Sequence, residues 1–229
     1  MSDGENSGSL AGLWNLARRF LPAGERPGDR GRSGGAIHPS RTLRPFIQAL
    51  AGRPSPVLVD LGPALGTNVS FLGAHLACKI YPEDLYFDLD QPFERSGSGT
   101  MTAVLETKLR QDAGGVDGIL AWDVFDHLNR EEAGLLAGKL TALLRPGGLL
   151  MALFTTEPRD DTASRRYVIV DEDHLMHRPA PGARWPRRVW PLGDIERLLA
   201  PLEVVESHLL AHHQREMLLR KPPARGKEG

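Results

Sequence analysis

The stretch VLVDLGPALGTNVSFLGAHL, residues 57–76, decides how the rest of the chain is read. Val57 to Val59 is an apolar run of strand length closed by Asp60. Gly62, Pro63 and Gly66 then break the pattern, and Val69, Phe71, Leu72 and Leu76 return at helix-like spacing. This is a strand, a tight turn and a helix. In an open parallel sheet such a turn lies at the carboxyl end of its strand, beside the crevice that takes the ligand. Gly62 and Gly66 let a ligand come close to the backbone, whereas Pro63 fixes its own φ and donates no hydrogen bond. A dinucleotide turn GxGxxG starting at Gly62 would need glycine at the next two motif positions, where the chain has Ala64 and Thr67.

The pattern that is present runs acid-x-Gly-x-Ala-x-Gly from Asp60 through Gly66. It resembles motif I of the class I S-adenosylmethionine-dependent methyltransferases, acid-x-Gly-x-Gly-x-Gly, in a degenerate form with Ala64 for the middle glycine. Two later segments are similar to the same family in the same order. DGILAWDVFDHL, residues 117–128, looks like the fourth strand and the motif after it; LTALLRPGGLLMALF, residues 140–154, looks like the helix, the Arg/Lys-Pro-Gly-Gly turn and the fifth strand. The resemblance implies an α/β, Rossmann-like doubly wound sheet in three α/β/α layers, mostly parallel with an antiparallel C-terminal strand, and a hairpin or loop inserted after the fifth strand. It implies S-adenosylmethionine as cofactor and an O or N methyl acceptor that the sequence does not identify. The alternative is a non-catalytic protein of this fold that binds a ligand or another protein. Ala64, Pro63 and the lack of an Asn-Pro-Pro-aromatic motif speak for that alternative. An NAD-linked enzyme is disfavoured by the turn spacing.

Carried onto this chain, the resemblance assigns cofactor binding to Asp60, Gly62, Ala64 and Gly66 at the turn and to Asp123 at the end of the fourth strand. The ribose needs an acid at the end of the second strand, and Glu83 precedes Asp84 as candidate. Asp88 and Asp90 are rivals if the strand is LYFDLD; the four-residue repeat of Leu85, Leu89 and Phe93 favours a helix there instead. These carboxylates also suit a solvated helix start, where the macrodipole favours them. Asp112 is the candidate for the adenine, although its place beside Gly114 and Gly115 equally describes a surface turn. His127 is the candidate general base, because an imidazole titrates near neutrality, and it can equally cap a loop. His174 and His177 have HxxH spacing but no evident third ligand, so no metal site is expected. GxSxG, the mark of a serine hydrolase, does not occur.

Length and composition bound these readings. A chain of 229 residues suits one α/β domain with extensions, and a net charge of -1 provides no global field toward nucleic acid or anionic lipid. Cys78 is the only cysteine, which excludes an intramolecular disulfide and a cysteine-rich zinc site; its apolar neighbours predict a buried, inert thiol. MSDGENSGS is not a signal peptide and no apolar run reaches spanning length, so a cytoplasmic location is expected. Residues 1–36 read as a flexible extension. Within it Leu10, Leu13, Trp14, Ala17, Phe20 and Leu21 form one face of a short helix over 10–21, suited to a partner or a membrane surface or to folding back. Residues 37–221 read as the methyltransferase-like domain, beginning with a helix in RTLRPFIQALAG. A third strand is expected at MTAVLET, residues 101–107. Residues 157–191 read as an inserted hairpin and an arm in which Arg178, Arg184, Arg187, Arg188, Trp185 and Trp190 can hold an anion, or be satisfied by Asp160, Asp161, Asp171, Glu172 and Asp173. A helix in LGDIERLLA and a terminal antiparallel hairpin follow. Residues 222–229 read as a disordered basic tail.

Overall fold

The quoted stretch forms the strand β2, Val57–Asp60, and the helix α2, Gly66–Leu76, joined by the glycine turn. The computed structural model describes residues 35–86, 98–157, 163–184 and 187–223. The expected helix over 10–21, Asp88, Asp90, Asp160, Asp161, Trp185 and most of the C-terminal tail lie outside the described residues.

Chain order runs β1 (Ala36–Pro39), α1 (Leu43–Ala51), β2, α2, β3 (Lys79–Pro82), α3 (Ser98–Lys108) and β4 (Val116–Trp122). A 3-10 turn (Val124–His127), α4 (Arg130–Leu143), β5 (Leu144–Thr155), β6 (Ala163–Asp171) and β7 (His174–Arg184) follow. The chain ends with α5 (Leu192–Leu198), β8 (Glu203–Leu210) and β9 (Gln214–Arg220). Six strands form one sheet in the order β3-β2-β4-β5-β9-β8. β3, β2, β4 and β5 are parallel, and β9 enters antiparallel to β5 with β8 beyond it. The expectation of a doubly wound, mostly parallel Rossmann-like sheet ending in an antiparallel hairpin is met. All seven residues of β4 are buried, as a central strand covered on both faces must be.

The segment expected as a third strand is helical. Met101, Leu105 and Leu109 are buried at four-residue spacing in the core that also holds Leu136 and Leu140 of α4. One helical face therefore outweighs the β-branched composition that suggested a strand. Among the described residues no strand lies outside β3, which is an edge of the sheet. α4 is the helix expected before the Pro-Gly-Gly turn, and it starts on a capping box: the Asn129 side chain accepts from the Glu131 and Glu132 N–H groups, and Glu132 reaches back to the Asn129 N–H.

The inserted hairpin is β6 and β7, and β1 adds to it to make a second, three-stranded antiparallel sheet. Tyr167, Ile169 and Leu175 of this cap are buried in one cluster with Leu43, Phe46 and Leu50 of α1, Leu72 and Leu76 of α2, and Leu58 and Leu120 of the large sheet. Asn68 of α2 fastens the cap by its backbone, donating to the Tyr167 carbonyl at 2.8 Å and accepting from the Ile169 N–H at 2.9 Å. The cap thus sits on the same helix that the glycine turn starts.

α1 begins on a buried carboxylate from the far end of the chain. Glu216, 1% exposed, accepts from the Arg41 N–H at 2.6 Å and the Thr42 N–H at 3.1 Å, donors that a helix start leaves without helical partners. Glu216→Ala strands these donors and is expected to cost about 2–3 kcal/mol. Urea unfolding checks it: the midpoint falls with an unchanged m-value.

Candidate functional site

The chain leaves β2 for β3 on one side and then crosses to β4 on the other, so the strand order reverses beside β2. The carboxyl ends of β2 and β4 are therefore the switch point of the sheet. Asp60, 2% exposed, closes β2, and its Oδ1 accepts from the Gly62 N–H at 2.9 Å and from the Trp122 indole N–H at 2.6 Å. Burial pushes its carboxyl up to about 6 against the pull of those two hydrogen bonds. Gly62 is buried, whereas Ala64 and Gly66 are exposed.

β3 brings Glu83 alongside, where its N–H donates to the Asp60 carbonyl at 2.8 Å. The Glu83 carboxylate accepts from Gln111 Nε2 at 2.7 Å. Glu83 also lines an open groove of about 340 Å³ with Tyr81, Thr107, Lys108, Arg110 and Gln111. Asp84 is half-buried with a φ of 21°, and its charge acts on Asp60.

Asp123 is at the centre of the site and fully buried. Its Oδ1 accepts from the Tyr86 hydroxyl, and its Oδ2 from the Tyr167 hydroxyl at 2.7 Å, with Arg187 Nη2 at 3.2 Å. Burial raises the carboxyl, but Arg187, then His127 and the two phenols, outweigh it and hold Asp123 ionised below the usual carboxylate range. Both phenols are in turn raised well above their ordinary value by burial and by the Asp123 charge. Three residues on, burial and the Asp123 charge push Asp126 up to about 8; its Oδ2 accepts from the Thr155 N–H at 2.9 Å. His127, 7% exposed, sets its ring edge-on to Tyr86 with centroids 5.6 Å apart. Gln214 of β9 donates to the Tyr167 hydroxyl at 2.8 Å and accepts from His212 in the β8–β9 turn at 2.9 Å.

The structure brings Asp60, Gly62, Glu83, Asp84, Asp123 and His127 to the carboxyl end of the sheet. Asp112 is one residue beyond Gln111, the donor to Glu83. It is exposed in the turn before β4, whose Gly114 N–H bonds the Ala142 carbonyl at the end of α4. β4 runs seven residues from there to Trp122, roughly 20 Å. Gln111 nevertheless reaches back to the Glu83 carboxylate. Cys78 is half-buried rather than buried, with its thiol raised by desolvation. Two of the arm arginines, Arg187 and Arg188, bond inside the fold, though not to the nearby acids that the sequence offered. Arg187 goes to Asp123, while Arg188 donates from Nε to the Leu128 carbonyl at 3.2 Å and from its N–H to the Asp126 carbonyl at 2.6 Å. Glu172 and Asp173 pair with Arg44 of α1, and Asp171 with His174. His177 packs at a tilt against His38 and edge-on to His212, and no group of His, Cys, Asp or Glu among the described residues is arranged to hold a metal ion. Tyr86, Tyr167 and Gln214 were not legible as site residues, and Arg187 only as one of four arm arginines, since each is placed by tertiary packing and carries no local motif.

No family model matches the chain, and no curated protein matches it in sequence. Solved structures similar to it include the 1,6-didemethyltoxoflavin-N1-methyltransferase of Burkholderia thailandensis, 15% identical over 97% of this chain and 93% of that one, with a TM-score of 0.48. An S-adenosylmethionine-dependent methyltransferase from Mesorhizobium loti is 12% identical over 77% and 96% of the two chains, with a TM-score of 0.47. The PH0226 protein of Pyrococcus horikoshii is 12% identical over 79% and 88%, with a TM-score of 0.46. No helix among the described residues is long and apolar enough to cross a membrane.

Proposed function

We propose that this chain binds S-adenosylmethionine at the switch point and transfers its methyl group to an O or N acceptor held under the cap. The observation that carries the reading is the position of the Asp60–Gly66 turn, at the carboxyl end of β2 where the strand order reverses. Glu83 would hold the ribose, and the exposed backbone at Ala64 and Gly66 the rest of the nucleoside; a Cβ at Gly66 would meet nothing within 4 Å. Asp60 and the free face of Gly62 would hold the amino-acid part only with the Trp122 indole withdrawn, since that ring now covers them.

The bound cofactor would supply an activated methyl group for in-line displacement, so the protein's share is orientation and exclusion of water. The cap provides both. Tyr167 of the cap and Arg187 fix Asp123, and the cap packs on α1 and α2, where it would shield the acceptor from water. His127 is the group suited to take a proton where the acceptor must lose one.

Calorimetric titration with S-adenosylhomocysteine tests the reading. The wild type is expected to bind, and Glu83→Gln to bind about ten- to a hundredfold more weakly with an unchanged circular-dichroism spectrum. No heat at millimolar ligand would leave the second reading, a non-catalytic binding or interaction domain. That reading is favoured by the occupation of both Asp123 oxygens by the protein's own side chains. Binding without turnover against any acceptor would lead to the same reading.

A further inference from the structure

Trp122, the last residue of β4, has a φ of 47°, in the left-handed region where a bulky side chain is an outlier. Such strain persists only where the surroundings over-determine it, and here they do. The indole is 2% exposed and lies parallel to the Tyr167 ring, with an interplanar angle of 2° and centroids 5.4 Å apart. Its N–H donates to Asp60 Oδ1, the atom that also holds the Gly62 N–H. A Cβ built on Gly62 would lie 2.6 Å from the indole Cδ1 and 2.7 Å from Nε1. The side that the first motif glycine leaves open for close approach is thus filled from within, by a ring that also uses the motif acid.

We propose that Trp122 gates the ligand site: its indole covers the face of Gly62 and the Asp60 oxygen that an amino-acid-bearing nucleoside would use, and the ligand's entry turns it out. The proposal rests on the reading of the switch point as a nucleoside site. The closed indole lowers apparent affinity by the fraction of molecules in which it is withdrawn. The groove beside Glu83 is on the β3 side of the turn and stays open whichever way the ring points. The ligand's two halves therefore meet different obstacles.

Trp122→Phe keeps a ring to stack on Tyr167 and removes the N–H that closes onto Asp60. In calorimetry W122F is expected to bind S-adenosylhomocysteine about tenfold more tightly than the wild type. Saturating ligand is expected to shift the wild-type tryptophan emission to the red as one indole leaves its buried stack, a change absent from W122F. Binding by W122F alone, with none by the wild type, would support the gate equally. Equal affinities with no emission change would overturn the gate and leave the site reading standing; failure of both proteins to bind at millimolar ligand would overturn the two together. If W122F does not fold, Trp122→Tyr replaces it and the wild-type emission decides: an unmoved maximum at saturation overturns the gate.

Discussion

Asp123→Leu is expected to destabilise the protein by about 3–5 kcal/mol, among the largest losses open to a single side chain here. Its partner Arg187 is only 4% exposed and remains protonated: burial lowers its pKa, but the Asp123 charge and the raised phenols outweigh that. Removing Asp123 leaves a guanidinium with its charge buried and two phenol hydroxyls without their acceptor. Asp126 limits the loss. Its carboxyl is held neutral by burial and then by the Asp123 charge, so without Asp123 it ionises more readily and offers Arg187 a substitute. Adding Arg187→Met to Asp123→Leu removes the stranded charge and is expected to recover part of the stability, because replacing both members of a buried pair by apolar groups is far cheaper than breaking it. Denaturant midpoints of the two single variants and the double variant check this. A double variant no more stable than Asp123→Leu would show that the buried guanidinium is not the source of the loss.

The same cluster shows why only part of this molecule was legible from its sequence. The β2–α2 turn, the capping box of Asn129 and Glu132, and the β8–β9 hairpin are local. Periodicity and turn chemistry over a few residues determine them, and the structure keeps all three. The cluster around Asp123 is not local. Tyr86, Tyr167 and Arg187 come from beyond β3, from β6 and from the segment before α5, and meet only once the cap docks on α2. β1 was invisible for a related reason, since AIHP has no alternation of its own and becomes a strand by pairing with β7. MTAVLET was expected as a strand, but Met101, Leu105 and, just beyond it, Leu109 are buried at four-residue spacing in the core shared with α4, and the segment is helical. The glycines of motif I were read as places where a ligand can come close to the backbone. What the motif could not convey is that at Gly62 the closely approaching group belongs to the protein.

Acid is expected to weaken the docking of the cap through three histidines. His38 of β1, His177 of β7 and His212 of the β8–β9 turn have ring centroids 4.2 to 5.0 Å apart, so they join the small sheet to the large one. Burial lowers His177 to about 3, with His38, His212 and Arg165 of β6 adding repulsion against the attraction of Asp123; Tyr167 meets the ring edge-on. His38 is lowered too, by burial and then by Arg165. A histidine whose folded pKa lies below its unfolded value of 6.5 takes up its proton in the unfolded chain first. Its contribution is therefore intact above 6.5 and is lost as pH falls from 6.5 toward 3. For His177 the loss is about 2 kcal/mol by about pH 5. Asp60 and Asp126 act in the opposite sense, because their raised carboxyls favour the folded state as pH falls toward the unfolded carboxylate value. The His177 contribution is therefore read as a difference. His177→Phe keeps a ring against His38 and Tyr167 but has no proton to gain. The stability of wild type minus that of His177→Phe, from urea unfolding at each pH, should be level above 7 and fall steadily below 6.5. A difference that stays flat down to about pH 5 would mean that the imidazole is not held uncharged by its neighbours, and the acid-sensitive junction would have to be given up.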